Sequence, residues 1–71
     1  TFQQDAANFD LTARETDILR LICDGADNKE IAAKLFLAEG TVRNSISRLL
    51  EKLGLKDRTQ LAVFALKNNI V

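Results

Sequence analysis

A chain of 71 residues with no histidine has room for one small domain and offers little for a catalytic cleft, so an enzyme is not expected. Apolar residues make up 46%, enough to build a core and too many for wholesale disorder. The net charge is zero but unevenly spread: residues 1–39 carry four basic against eight acidic side chains, and residues 40–71 six against two. Such polarity points to a charged partner for the C-terminal half.

Cys23 is the only cysteine. It closes no disulfide within the chain, and without histidine it makes no zinc site, so neither metal nor cofactor is expected. Between Ile22 and Asp24 it reads as a small buried core residue. The lack of disulfides fits the cytoplasm. No apolar run approaches a membrane span, and none reads as a signal peptide.

Residues 1–10, "TFQQDAANFD", show no periodicity and read as a linker remnant behind a preceding domain, with Phe2 and Phe9 apolar enough to dock. The domain proper is placed at residues 11–71. With no proline and three glycines, and no alternating runs, the expected class is all-α. "TARE" is a capping box that starts a first helix at Thr12. Ile18, Leu19, Ile22 and Cys23 follow at helical spacing, and Gly25 suits a left-handed stop. Asp27 or Asn28 caps a short second helix, "KEIAAKLF", in which Ile31, Ala32, Leu35 and Phe36 form one face. "LAEG" then turns into a third helix, about residues 40–54. Val42, Ile46, Leu49, Leu50 and Leu53 lie within about 100° of arc on it. Asn44, Ser47, Arg48 and Glu51 lie opposite, flanked by Thr41, Arg43 and Lys52, and Gly54 ends the helix. A fourth helix starts near Asp57, where "DRTQ" resembles a capping box. Its "LAVFAL" run is apolar around almost the whole circumference, more than one packed face needs.

A short capped helix, a brief turn and a longer amphipathic helix describe a helix-turn-helix. In DNA-binding versions the second helix enters the major groove by its N-terminal end. Arginine can bridge guanine O6 and N7, and asparagine adenine N6 and N7. Thr41, Ser45 and Ser47 are short donors able to approach phosphates or base edges. A merely solvated polar face fits the same residues.

The ordered segments "LTARE", "GADNKEIA", "GTVRN", "LEKLGLKDRTQLA" and "NNIV" resemble the LuxR-type (NarL/FixJ-type) helix-turn-helix domain of bacterial response regulators, from Leu11 to the last residue. The resemblance implies a four-helix bundle-like DNA-binding domain with a C-terminal dimerisation helix. It implies a transcription regulator of a two-component system, a homodimer on double-stranded DNA with paired half-sites, commonly behind an N-terminal receiver domain. Matched residue by residue, it makes Arg43, Asn44 and Ser47 base readers. Lys29, Thr41, Ser45 and Arg48 become phosphate contacts. Lys52 and Arg58 add backbone contacts, or serve as a solvated lysine and a structural arginine bracing the last loop. Arg14 and Glu15 take structural positions, as an ion pair or cap. Val63, Phe64 and Lys67, away from the Ala62–Ala65–Leu66 side, become the dimer interface. Two residues depart from the family pattern. Ser45 stands where histidine or tyrosine is frequent, and Ala38 where Ser or Thr would cap the recognition helix. "GTVRNSISRLLEKL" also resembles region 4 of extracytoplasmic-function sigma factors, which lack a like fourth helix. A reading from another class is a helical protein-interaction module without DNA binding.

Overall fold

A computed structural model describes residues 11–68, and the linker expected at residues 1–10 and the terminal residues 69–71 lie outside them. Among the described residues there are four α-helices and no strand: α1 (Ala13–Cys23), α2 (Asn28–Leu35), α3 (Glu39–Leu53) and α4 (Arg58–Lys67). The all-α expectation holds, and each helix begins within a residue or two of its expected place.

The helix starts follow from local chemistry. Thr12 Oγ1 accepts from the Glu15 backbone N–H at 3.1 Å, and Glu15 Oε1 accepts from the Thr12 N–H at 2.9 Å, a reciprocal cap. Asp27 and Glu30 repeat the device at α2, at 2.8 and 3.0 Å, which settles Asp27 over Asn28 as the cap. At α4 only half of the expected box forms. Asp57 Oδ1 accepts from the Gln60 N–H at 2.9 Å, but the Gln60 side chain reaches one residue further back, to the Lys56 N–H at 2.8 Å. Ala38, before α3, provides no side-chain cap.

The first three helices end on left-handed residues, whereas α4 ends at Asn68 with φ −105°. Gly25 (φ 87°) and Gly54 (φ 70°) do so at little steric cost. After each, the very next residue donates back into the last turn: Ala26 N–H to Leu21 O at 3.0 Å and Leu55 N–H to Leu50 O at 2.9 Å. The third such stop is Phe36, at φ 59°, with the Leu37 N–H donating to Ala32 O at 2.9 Å. This corrects the expectation that Phe36 joins Ile31, Ala32 and Leu35 on the packed face. The helix has already ended, and the ring is 93% exposed. A left-handed L-residue costs about 1–2 kcal/mol, against about 0.5–1 kcal/mol of extra backbone entropy for glycine. Phe36→Gly is therefore expected to raise the thermal midpoint by a few degrees. A lower midpoint would show that the ring carries a stabilising contact.

The core is built from every helix: Ile18, Leu19 and Ile22 of α1, Ile31 and Ala32 of α2, Val42, Ile46 and Leu49 of α3, and Leu61 and Ala65 of α4. Leu50, Leu53 and Leu55 pack against it partly buried. α1 packs chiefly on α4, and α2 on α3. On α4, Leu66 was expected beside Ala62 and Ala65, yet it is 62% exposed, while Phe64 turns half-buried onto the core. An all-apolar run has no period to say which side packs; the position of α1 decides. Cys23 is half-buried rather than fully buried, its thiol donating to Ala62 O at 3.6 Å. Burial and the neighbouring Asp24 charge push that thiol's pKa up, which keeps it protonated and unreactive.

Candidate nucleic-acid interface

α3 follows α2 after a three-residue connection and packs against it, the arrangement of a helix-turn-helix. Burying Val42, Ile46 and Leu49 fixes the rotation of α3 about its axis. Residues half a turn away must then face solvent. Thr41, Arg43, Asn44, Ser47 and Arg48 are all exposed, and none of their side chains has a hydrogen-bond or ion-pair partner among the described residues. They form one polar surface over the first two to three turns. At 1.5 Å per residue, α3 is about 22 Å long, and a B-DNA major groove about 12 Å wide admits such a helix.

Ser45 lies at the edge of this surface, half-buried, beside the stripe that carries Val42 and Ile46. Its short side chain and partial burial both limit its reach. The start of α3 has no side-chain cap, so its first backbone N–H groups remain suited to an anionic acceptor. Lys29, exposed in the first turn of α2, carries a second positive charge near a helix N-terminus. The α1 face is different in character: Asp17 and Asp24 interrupt Arg14 and Arg20 there.

Two of the expected backbone contacts are engaged inside the protein. Lys52 Nζ lies 2.9 Å from Glu15 Oε1 and 3.2 Å from Oε2, joining the end of α3 to the start of α1. Arg58, half-buried, donates from Nη1 to Asn28 Oδ1 and from Nη2 to the Ala26 carbonyl, both at 2.6 Å. It thus braces the loop between α1 and α2, not the last loop as expected, because its two acceptors lie at Ala26 and Asn28. Neither contact was foreseen with its partner, because the paired residues lie 30 to 37 positions apart in the chain. Glu15 was expected as a cap or in an ion pair with Arg14; it does cap α1, and its ion-pair partner is Lys52.

Partial burial draws the Glu15 carboxyl up. The Thr12 backbone N–H, the Lys52 ammonium and the Thr12 hydroxyl outweigh it and leave the pKa below the ordinary carboxylate range. A carboxyl lowered in the folded state adds stability above its unfolded pKa, and that stability is lost as pH falls through the folded value. At neutral pH, Glu15→Gln should therefore cost about 0.5–1 kcal/mol, discounted for solvent screening of a partly exposed pair. Below the folded pKa the difference should vanish. Melting curves of both proteins at neutral and acid pH check this; an equal deficit at both would mean that the charge contributes nothing.

Leu55, before α4, and Thr59, Gln60, Val63, Phe64 and Lys67 on α4 line an open, mainly apolar groove of about 260 Å³. The three candidate interface residues, Val63, Phe64 and Lys67, share that groove. Leu66 extends the exposed apolar surface of the same helix.

The model of the family described as "Bacterial regulatory proteins, luxR family" matches residues 10–65. The chain belongs to this family. That match includes the whole helix-turn-helix and most of α4. Among its relatives are the Uncharacterized transcriptional regulatory protein YhcZ of Bacillus subtilis (strain 168), 53% identical over 87% of this chain and 29% of the relative, and the DNA-binding transcriptional activator DevR/DosR of Mycobacterium tuberculosis, 56% identical over 78% of this chain and 25% of the relative. The Transcriptional regulatory protein LiaR of Bacillus subtilis (strain 168) is 49% identical over 86% of this chain and 29% of the relative. The luxR-family chain thus spans less than a third of the length of each of these proteins. No helix among its described residues is long and apolar enough to cross a membrane.

Proposed function

We propose that this luxR-family chain is the sequence-specific DNA-binding domain of a bacterial transcription regulator. α3 enters the major groove N-terminal end first. Arg43, Asn44 and Ser47 read bases, while Thr41, Arg48 and Lys29, with the N-termini of α2 and α3, hold phosphates. Ser45 makes at most a short-range phosphate contact. The observation that carries this reading is the group of exposed side chains Thr41, Arg43, Asn44, Ser47 and Arg48 on the second helix of a helix-turn-helix, with none of them partnered by another of the described residues.

Dimerisation through Val63, Phe64 and Lys67 belongs to the same proposal, supported by the apolar groove on α4. Two copies related by a two-fold axis would present their α3 helices to paired half-sites. An N-terminal receiver domain in the full-length protein also belongs to it, supported by the much greater length of the relatives. With zero net charge, non-specific attraction to DNA is weak, and the second copy then matters more to affinity.

An electrophoretic mobility shift at two salt concentrations tests the proposal. A retarded complex should form at low salt and weaken steeply as salt rises, as phosphate contacts demand. Failure to shift any duplex at low salt and high protein concentration would overturn it.

A further inference from the structure

We infer that Arg58 is a positioning residue for DNA binding: its guanidinium, held inside the protein, fixes the start of α2 so that Lys29 meets a phosphate. The inference rests on the DNA-binding reading above and assigns Arg58 a role other than direct backbone contact.

Both Arg58 Nη atoms are committed, one to Asn28 Oδ1 and one to the Ala26 carbonyl. These two acceptors flank Asp27, the N-cap of α2. A planar fork on two fixed acceptors sets direction as well as distance, so the guanidinium determines where the α1–α2 loop delivers the first turn of α2. Lys29 is the next residue after Asn28, exposed in that turn.

The position of the charge supports the same view. Arg58 is the first residue of α4, where a cation opposes the helix dipole. The first turns of α1, α2 and α3 each contain a glutamate, and that of α4 contains no acid. An arginine at this unfavourable place, half-buried and turned onto another helix's entry loop, is accounted for by the loop it holds. Because α4 also carries the groove proposed for the second copy, Arg58 joins the dimer surface mechanically to the phosphate contact on α2.

The test uses a duplex enriched from a random pool on the wild-type chain, with binding followed by fluorescence anisotropy across a salt series. Asn28→Ala removes one acceptor of the fork and changes no charge. If Arg58 acts through α2, this neutral variant loses the Lys29 phosphate contact. Its slope of log affinity against log salt should then become shallower by about 0.9, the value for one phosphate contact. Lys29→Ala should produce the same change, and the double variant no further change. Arg58→Lys, which keeps the charge and loses the fork, should behave like Asn28→Ala. Loss of global stability alone would lower the active fraction and leave the slope in place. An unchanged slope in Asn28→Ala or in Lys29→Ala overturns the inference, as does full affinity in Arg58→Lys. A wild-type chain that enriches no duplex overturns the DNA-binding reading itself, an outcome separable from the others.

Discussion

Leu61→Ala is expected to lower the unfolding free energy by about 2–5 kcal/mol. Leu61 is fully buried, and with Ala65 it is what α4 contributes to the core. Truncating it opens a cavity at the packing of α4 on α1. A chain of this size has roughly 4–10 kcal/mol of stability in total, so the loss is a large share, enough at the low end to leave much of the protein unfolded at room temperature. Urea titration followed by circular dichroism measures it: the midpoint should fall sharply with the slope unchanged. Leu66→Ala is the matched control. Leu66 is 62% exposed on the same helix, and its truncation should stay within about 0.5 kcal/mol. Comparable losses in both variants would mean that α4 is rotated from the orientation described.

Arg43→Ala is expected to lower specific affinity by about 1–3 kcal/mol, roughly 5- to 150-fold, as the loss of a bidentate base contact should. The Arg43 side chain is exposed near the start of α3 with no partner among the described residues, so its removal should leave folding intact. The effect should appear as relaxed preference at one base position. Arg48→Ala provides the contrast, because a phosphate contact weakens binding to all sequences alike and shallows the salt dependence. Anisotropy titrations on an enriched duplex and on single-base variants separate the two patterns. Unchanged discrimination in Arg43→Ala would remove Arg43 from the readers.

What could be read from the sequence was what is local. A capping box needs only residues three apart, so Thr12–Glu15 was legible, as were the glycine stops at Gly25 and Gly54. The stripe of Val42, Ile46 and Leu49 fixed which side of α3 is buried, and by subtraction which side can meet a partner. Phe36 fitted the apolar stripe of α2, but the helix ends one residue earlier, and a left-handed phenylalanine carries no local signal. "LAVFAL" has no period, so the separate fates of Phe64 and Leu66 depended on where α1 lies. Glu15–Lys52 and Arg58–Asn28 join residues distant in the chain, and no spacing rule pairs them. The base-reading proposal for Arg43, Asn44 and Ser47 rests on residue chemistry together with the order of family-like segments; spacing alone left a solvated face equally open.

The central claim is that the exposed side of α3, with the start of α2, is the surface that meets DNA. The most direct measurement is amide chemical-shift mapping of the labelled chain during titration with an enriched duplex. The account predicts the largest shifts at Thr41–Ser47 and around Lys29, with the α1 face at Asp17, Arg20 and Asp24 left undisturbed. Shifts centred on α1, with Thr41–Ser47 silent, would contradict it.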